Sequence, residues 1–367
     1  MPSTKNSKPP KTNPQDELFA LFYVENLYYL PHLLSTYKQL RSQGLVAKMY
    51  FKKPLLDIFV SVIEKICQEE GLETTTNPNE KCYYLICANN LPSLQNYQKS
   101  VLIFHGIGTK SAYISKELNA YDIRFTEGQY RTDILLGLYP QLAGKLFTMG
   151  FSKFDTLAFY DKQALSAKYN LDPNKKTILY APTFYPSSIE KMSQTFAQDF
   201  SDYNLLIKPH FFTYAYKKYA HQVRKLEHWA SQENVYLADL DDYNLMPFLL
   251  LSDIMLSDES SAIFEAAAMD IPIVFNRFIH LRLSYRLFPW RFKKRMDTSM
   301  DRFRDIGQNA HSYDEVREKV QSELREPNTF KSKREEYSRA LVGSFGVGVG
   351  EEIVRVLLAQ KPTTNKE

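Results

Sequence analysis

Short apolar runs alternate with amphipathic stretches along most of this chain. Leu18–Val24, Leu45–Phe51, Cys82–Ala88 and Val101–Phe104 are runs of strand length. Between the first two, Leu27, Leu30, Leu33 and Leu34 recur near helical spacing within 26–43, and Gly44 closes the segment. After the second, 54–69 carries Leu55, Ile58, Phe59, Val62, Ile63 and Ile66 on one face, the stripe of a core-packed helix. Strands that alternate with helices predict a parallel, doubly wound sheet. A polar helical segment over 161–169 leads into Asp172-Pro-Asn-Lys-Lys176, where the pattern breaks. A second series then begins, with strands expected at 177–180, 204–208 and 235–237. Its last unit is 251–275. Ile254-Met-Leu256 suits a buried strand, Ser257, Asp258, Ser260 and Ser261 crowd a helix start, and Ile263–Met269 is a helical run. Pro272 follows, and Ile273-Val-Phe275 reads as the next strand.

The expected architecture is therefore α/β, with two doubly wound Rossmann-like halves facing across a cleft. The boundaries expected are a disordered tail over 1–15, a first domain over 16–171, a second over 172–345, and a C-terminal helix and tail over 346–367. At 367 residues and 44% hydrophobic content, the chain is large enough for two cores. The net charge of +4 is too small for a nucleic-acid-binding protein. Cys67, Cys82 and Cys87 have no zinc spacing and leave an odd count, which fits a reducing cytoplasm. No apolar run reaches the ~18 residues of a membrane-spanning helix.

Candidate chemistry collects at predicted strand ends. His105 closes one strand, and Gly106 and Gly108 let the backbone turn there and approach a ligand. Lys110 is placed to meet a phosphate. In the second half a strand ends in Lys208, Pro209 and His210, with proline fixing the turn. Thr183 follows another strand end and is a candidate hydrogen-bond donor to a phosphate. Ser260 and Ser261 at a helix start offer hydroxyls and amides to an anion, with Glu265 one turn inside, in reach of a sugar hydroxyl. Structural histidines at tight turns and an ordinary capped helix fit the same residues. Asp241 and Asp242 read as caps of the helix that follows them.

Together, Phe104-His-Gly106 with Lys110, Tyr121-Asp-Ile-Arg-Phe-Thr-Glu127, Thr148-Met-Gly-Phe151, Tyr180-Ala-Pro-Thr-Phe184, Lys208-Pro-His210 and Leu256-Ser-Asp-Glu-Ser-Ser-Ala-Ile-Phe-Glu265 resemble the CDP-glycerol glycerophosphotransferase family, the teichoic-acid primases and polymerases. The resemblance implies a GT-B fold that holds the nucleotide in its C-terminal half. It implies transfer of glycerol phosphate, or a related polyol phosphate, from a CDP-linked donor to a hydroxyl of a lipid-linked or glycan acceptor, with release of CMP. By position, His105 resembles the proposed base and His210 the second essential histidine. Lys208, Thr183, Asp258, Ser260, Ser261 and Glu265 fall on the donor side, Gly106 and Lys110 on the acceptor side. Phe211, Glu259, Tyr185 and Phe104 depart from the usual proline, tyrosine, arginine and tryptophan, so the polyol itself stays open. No carboxylate cluster compels a metal, although Mg²⁺ on the donor pyrophosphate is compatible with the pattern. A nucleotide-sugar glycosyltransferase and a non-catalytic carbohydrate-binding protein would share this scaffold. The stretch 281–295 mixes Arg286, Arg291, Lys293, Lys294 and Arg295 with Phe288, Trp290 and Phe292. Such a stretch suits an anionic membrane surface and the inner face of a cell membrane.

Overall fold

The computed structural model describes residues 17–108, 111–258, 260–281, 285, 287, 288, 290, 303–343 and 348–361. The first half runs β1 (Ala20–Val24), α1 (Leu30–Ser42), β2 (Ala47–Phe51), α2 (Lys53–Glu70), β3 (Cys82–Cys87), β4 (Tyr97–Ile103), β5 (Ile123–Thr126), α3 (Gln129–Leu138) and β6 (Leu146–Thr148). All six strands pair in parallel, in the order β2-β1-β3-β4-β5-β6. Helix α4 (Lys162–Lys168) leads into the second half. That half runs β7 (Thr177–Ala181), α5 (Phe196–Asp199), β8 (Asn204–Ile207), α6 (Phe211–Ala215), α7 (Ala220–Ala230), β9 (Val235–Leu237), α8 (Met246–Leu251), β10 (Ile254–Ser257), α9 (Ala262–Ala268), β11 (Ile273–Asn276) and β12 (Gln308–Ala310). Its six parallel strands lie in the order β12-β11-β10-β7-β8-β9.

Each order reverses once, between β1 and β3 in the first sheet and between β7 and β10 in the second. At such a reversal the two crossovers leave on opposite faces and open a crevice at the carboxyl ends of the strands. The central strands are largely buried on both faces, so they read as apolar runs, whereas the edge strands β2, β6, β9 and β12 are partly exposed. Tyr84, Ile86, Val101 and Ile103 are fully or almost fully buried, as are Leu179, Leu205, Met255 and Val274.

Three strands were not legible in the pattern. Strand β5 carries Arg124 in its middle, a polar residue that interrupts the run. Its guanidinium is buried and donates to the Tyr113 carbonyl at 2.8 Å and to Asn119 Oδ1 at 3.0 Å. Strand β6 is only Leu-Phe-Thr, and the edge strand β12 is Gln-Asn-Ala. The helix expected from Pro54 begins at Lys53 and bends at Phe59, whose φ of −126° is non-helical. Phe59, Ile63 and Ile66 enter the first core. Asp241 and Asp242 do not cap α8. Asn244 Oδ1 accepts from the Met246 amide at 3.1 Å, while Asp242 takes the Tyr236 hydroxyl at 2.8 Å. Burial raises the thiols of Cys82 and Cys87 to about 12, which leaves both unreactive.

The last helix, Val349–Gln360, returns to the first half, where Ile353, Val354 and Leu357 join the core of β1–β4. Asp155 receives its N-terminus. The carboxylate accepts from the amides of Gly348 and Val349 at 3.1 Å and of Gly350 at 2.7 Å. A negative group is favoured there by the helix dipole as well as by the hydrogen bonds. Gly350 has no room for a side chain, since a Cβ would lie 2.7 Å from Ser35 Oγ and 2.9 Å from the Thr36 nitrogen. Asp155→Ala is expected to lower the unfolding free energy by about 3 kcal/mol, because three amides lose a charged acceptor. Urea titration checks this, and an unchanged midpoint would show that the carboxylate does not hold the helix.

Candidate active site

The carboxyl ends of both sheets face one cleft of about 450 Å³. From the first half come Tyr28 and His32, after β1, His105, after β4, and Lys153, after β6. From the second half come Thr183, after β7, Lys208 and His210, after β8, and Ser260, Ser261 and Glu265, after β10. Both crevices at the sheet reversals thus open into a single space.

The two histidines are held in opposite tautomers by the backbone. His105 Nδ1 lies 2.5 Å from the Ala88 carbonyl oxygen. A carbonyl only accepts, so Nδ1 carries a proton, and in the neutral ring Nε2 is the accepting nitrogen. His210 is reversed, because its Nδ1 accepts from the Phe212 amide at 3.1 Å, at the start of α6. A neutral His210 therefore bears its proton on Nε2. The Tyr28 ring stands between them, 5.9 Å from His105 and 5.3 Å from His210, centroid to centroid. Tyr29 packs on His105 at 4.2 Å and Phe184 on His210 at 4.8 Å.

The floor of the cleft carries two lysines, one of them ion-paired. Lys153 Nζ donates to Glu265 Oε2 at 2.7 Å, and both side chains are more than nine-tenths buried. This bond joins the halves. It also engages the carboxylate read from sequence as a sugar-hydroxyl partner. Lys208 is half-buried, and loss of solvent pushes its ammonium down to about 8, against the pull of Asp242 and with the push of Lys153. His32 is 2% exposed, and burial lowers its imidazole well below the usual range, helped by Lys153 and His105.

The remaining sequence candidates divide. Ser260 and Ser261 line the cleft. Helix α9 has seven residues and starts at Ala262, whose amide donates to Ser260 Oγ at 3.3 Å. Thr183 lines the cleft too, but its hydroxyl donates to the Pro186 carbonyl at 2.5 Å. Asp258 is 1% exposed behind that wall and accepts from the Thr183 amide at 3.0 Å and from Ser187 Oγ at 3.2 Å. It shapes the 183–188 loop. Burial lifts its carboxyl to about 6, opposed by hydrogen bonds from Ser188, Thr183 and Ser187. Gly106 follows His105 in the turn, and a Cβ there would lie 2.6 Å from the Tyr113 ring. Lys110, Glu259 and most of the basic stretch 281–295 lie outside the described residues. Among the described residues, no three histidine, cysteine or acidic side chains gather as a metal site.

Tyr28, His32 and Lys153 were missed in the sequence. Lys153 sits among Phe151, Phe154 and Leu157 but also beside Ser152, Asp155 and Thr156, so no local pattern singled it out. Tyr28 and His32 looked like ordinary members of an amphipathic helix.

Two parallel six-stranded α/β halves closing on one cleft define the GT-B architecture. Solved structures share it. The wall teichoic acid polymerase TagF, in a form soaked with CDPG, superposes with a TM-score of 0.67 at 14% identity, covering 94% of this chain and 89% of that one. UDP-GlcNAc 2-epimerase from Neisseria meningitidis, bound to UDP-GlcNAc, gives 0.56 at 12% identity, covering 93% and 100%. The sequence profile described as CDP-Glycerol:Poly(glycerophosphate) glycerophosphotransferase matches residues 93–278, and the chain belongs to that family. The teichoic acid glycerol-phosphate primase of Bacillus spizizenii is 33% identical over 127 residues, 34% of this chain. The match spans 32% of that primase, about a third of its length.

The depressed Lys208 ammonium sets a pH dependence. Protonated, it costs the folded state free energy; the unfolded chain holds the extra proton between about 8 and the ordinary 10.5. Stability therefore rises with pH through that window. Anion binding runs the other way, since the cation is lost above about 8. Affinity for a nucleoside diphosphate probe is expected to fall between about pH 7 and about pH 9.5, and Lys208→Met to flatten the fall. Calorimetric titration at several pH values checks both, and a Lys208→Met protein with the parental slope would assign the dependence elsewhere.

Proposed function

We propose that this protein transfers glycerol phosphate, or a related polyol phosphate, from a CDP-linked donor to a hydroxyl of a lipid-linked or glycan acceptor, releasing CMP. The observation that carries the reading is the pair of oppositely tautomeric histidines across one cleft that also holds Lys208. His105 Nε2 would take the proton of the acceptor hydroxyl as its oxygen bonds to the distal phosphorus. The bond from that phosphorus to the bridging oxygen breaks, and CMP leaves with the electron pair. His210 Nε2–H and Lys208 would steady the phosphoryl oxygens, and Ser260 and Ser261 the departing phosphate. Phosphoryl transfer asks mainly for alignment and charge stabilisation, which such a set supplies. Asp258 and Thr183 would act by shaping the donor loop. Glu265 would meet the ribose only by sharing or exchanging Lys153.

In this reading residues 16–171 form the acceptor side and 172–345 the donor side. Family membership supports the reaction class, and the CDPG-soaked polymerase supports a CDP-linked donor. Among the described residues no helix is long and apolar enough to cross a membrane. A lipid-linked acceptor would then be met at a membrane surface, for which the 281–295 stretch is the proposed contact.

The test offers the purified protein CDP-glycerol, other CDP-polyols and nucleotide sugars, each with lipid-linked and glycan acceptors. CMP release from a CDP-polyol is expected. Nucleotide-sugar turnover alone would replace the reading with glycosyl transfer, and no turnover of any donor with intact binding would favour a carbohydrate-binding role. His105→Ala is expected to lower kcat by about 100-fold or more with donor affinity kept. Ser260→Ala with Ser261→Ala is expected to weaken donor binding by about tenfold. Full turnover in His105→Ala would remove it as the base.

A further inference from the structure

Residues 104–108, which present His105 to the cleft, form neither helix nor strand. A side chain behind them does the holding. Arg131, on α3, is 3% exposed and does not line the cleft. Its Nη2 donates to the carbonyl of Gly106 at 2.8 Å and to that of Gly108 at 3.2 Å. Its Nε is held by both oxygens of Glu127, at 2.7 and 2.6 Å, and Glu127 is 5% exposed. The guanidinium also lies 4.9 Å from the centroid of the Tyr113 ring and 5.3 Å from that of Phe104. The Tyr113 ring closes the other side of the turn, leaving Gly106 no room for a side chain.

We propose that Arg131 is a positioning residue for the reaction, its guanidinium clamping the Gly106 and Gly108 carbonyls so that His105 faces the acceptor with Nε2. The proposal rests on the reading of His105 as the base. Only a planar fork serves two carbonyls on one edge and a carboxylate on another, so lysine cannot replace it. Gly108 takes a φ of +104°, a backbone state open to several rearrangements if the clamp is lost. A shift of about 1 Å in a reacting group costs up to about 100-fold in rate.

The test compares Arg131→Lys and the milder Glu127→Gln with the parent. Both variants keep a polar partner inside, and Glu127→Gln keeps the fold measurable if Arg131→Lys does not fold. Arg131→Lys is expected to lower kcat by about tenfold to 100-fold while donor Kd stays within about twofold. Glu127→Gln is expected to lower kcat less, with donor Kd equally unchanged. Nitrogen-15 NMR of the His105 ring supplies a readout that a merely structural role would not move. The parent is expected as the Nδ1–H tautomer and the variants as a mixture. Parental kcat and ring spectrum in either folded variant would overturn the clamp. His105→Ala is the control for the underlying reading. Full turnover in His105→Ala defeats the base assignment, whereas an inactive His105→Ala beside a fully active Arg131→Lys defeats the clamp alone.

Discussion

The Lys153–Glu265 ion pair is the constraint on which the arrangement of this molecule turns. Two buried charges are tolerated only when each satisfies the other, and separating them strands both. One comes from the first half, directly after β6, and one from α9 of the second. The halves are therefore joined at the floor of the cleft rather than only at its rim. Around this bond Asn244 reaches the hydroxyls of Thr156 and Tyr160 at 2.9 and 3.0 Å, and the Tyr243 hydroxyl meets Glu70 at 2.7 Å. Near Lys153, Lys208 and His32 are both shifted downward, chiefly because burial disfavours their charged forms, with Lys153 adding to the push.

The chemistry above that floor depends on backbone groups as much as on side chains. The Ala88 carbonyl sets the His105 proton and the Phe212 amide sets the His210 proton. A charged His210 would lose that amide bond, because its Nδ1 would have to donate. The same economy appears in Asp155, whose carboxylate closes the C-terminal helix onto the first core. Asp155, Glu265 and Arg131 are buried polar groups that hold elements of distant sequence together.

Much of the fold was legible because parallel strands are buried on both faces and so stand out as apolar runs. The strands from β1 to β4 and from β7 to β11 follow from such runs, and helices α1, α2 and α9 from their periodicity, whereas α5, α6 and α7 were not read from the pattern. Where a strand carried a buried cation, as at Arg124, or was short and polar, as at Gln308–Ala310, the pattern failed. His105, Lys208, His210, Ser260 and Ser261 were legible as site candidates because strand ends and turn residues mark them. Thr183 and Asp258 were legible as polar residues at strand ends, but their hydrogen bonds face one another.

The sequence by itself determined the class of the fold, its two halves and the strand ends where chemistry gathers. These follow from local hydrophobicity, period and turn residues, which neighbours along the chain decide. Only the tertiary structure decided that both sheet reversals open into one space, that Lys153 meets Glu265, that Arg131 backs the His105 turn, and which nitrogen of each histidine holds the proton. Each of those is a contact between residues far apart in the chain. Such contacts depend on how two cores pack and on where buried charges find partners, and no local pattern records either.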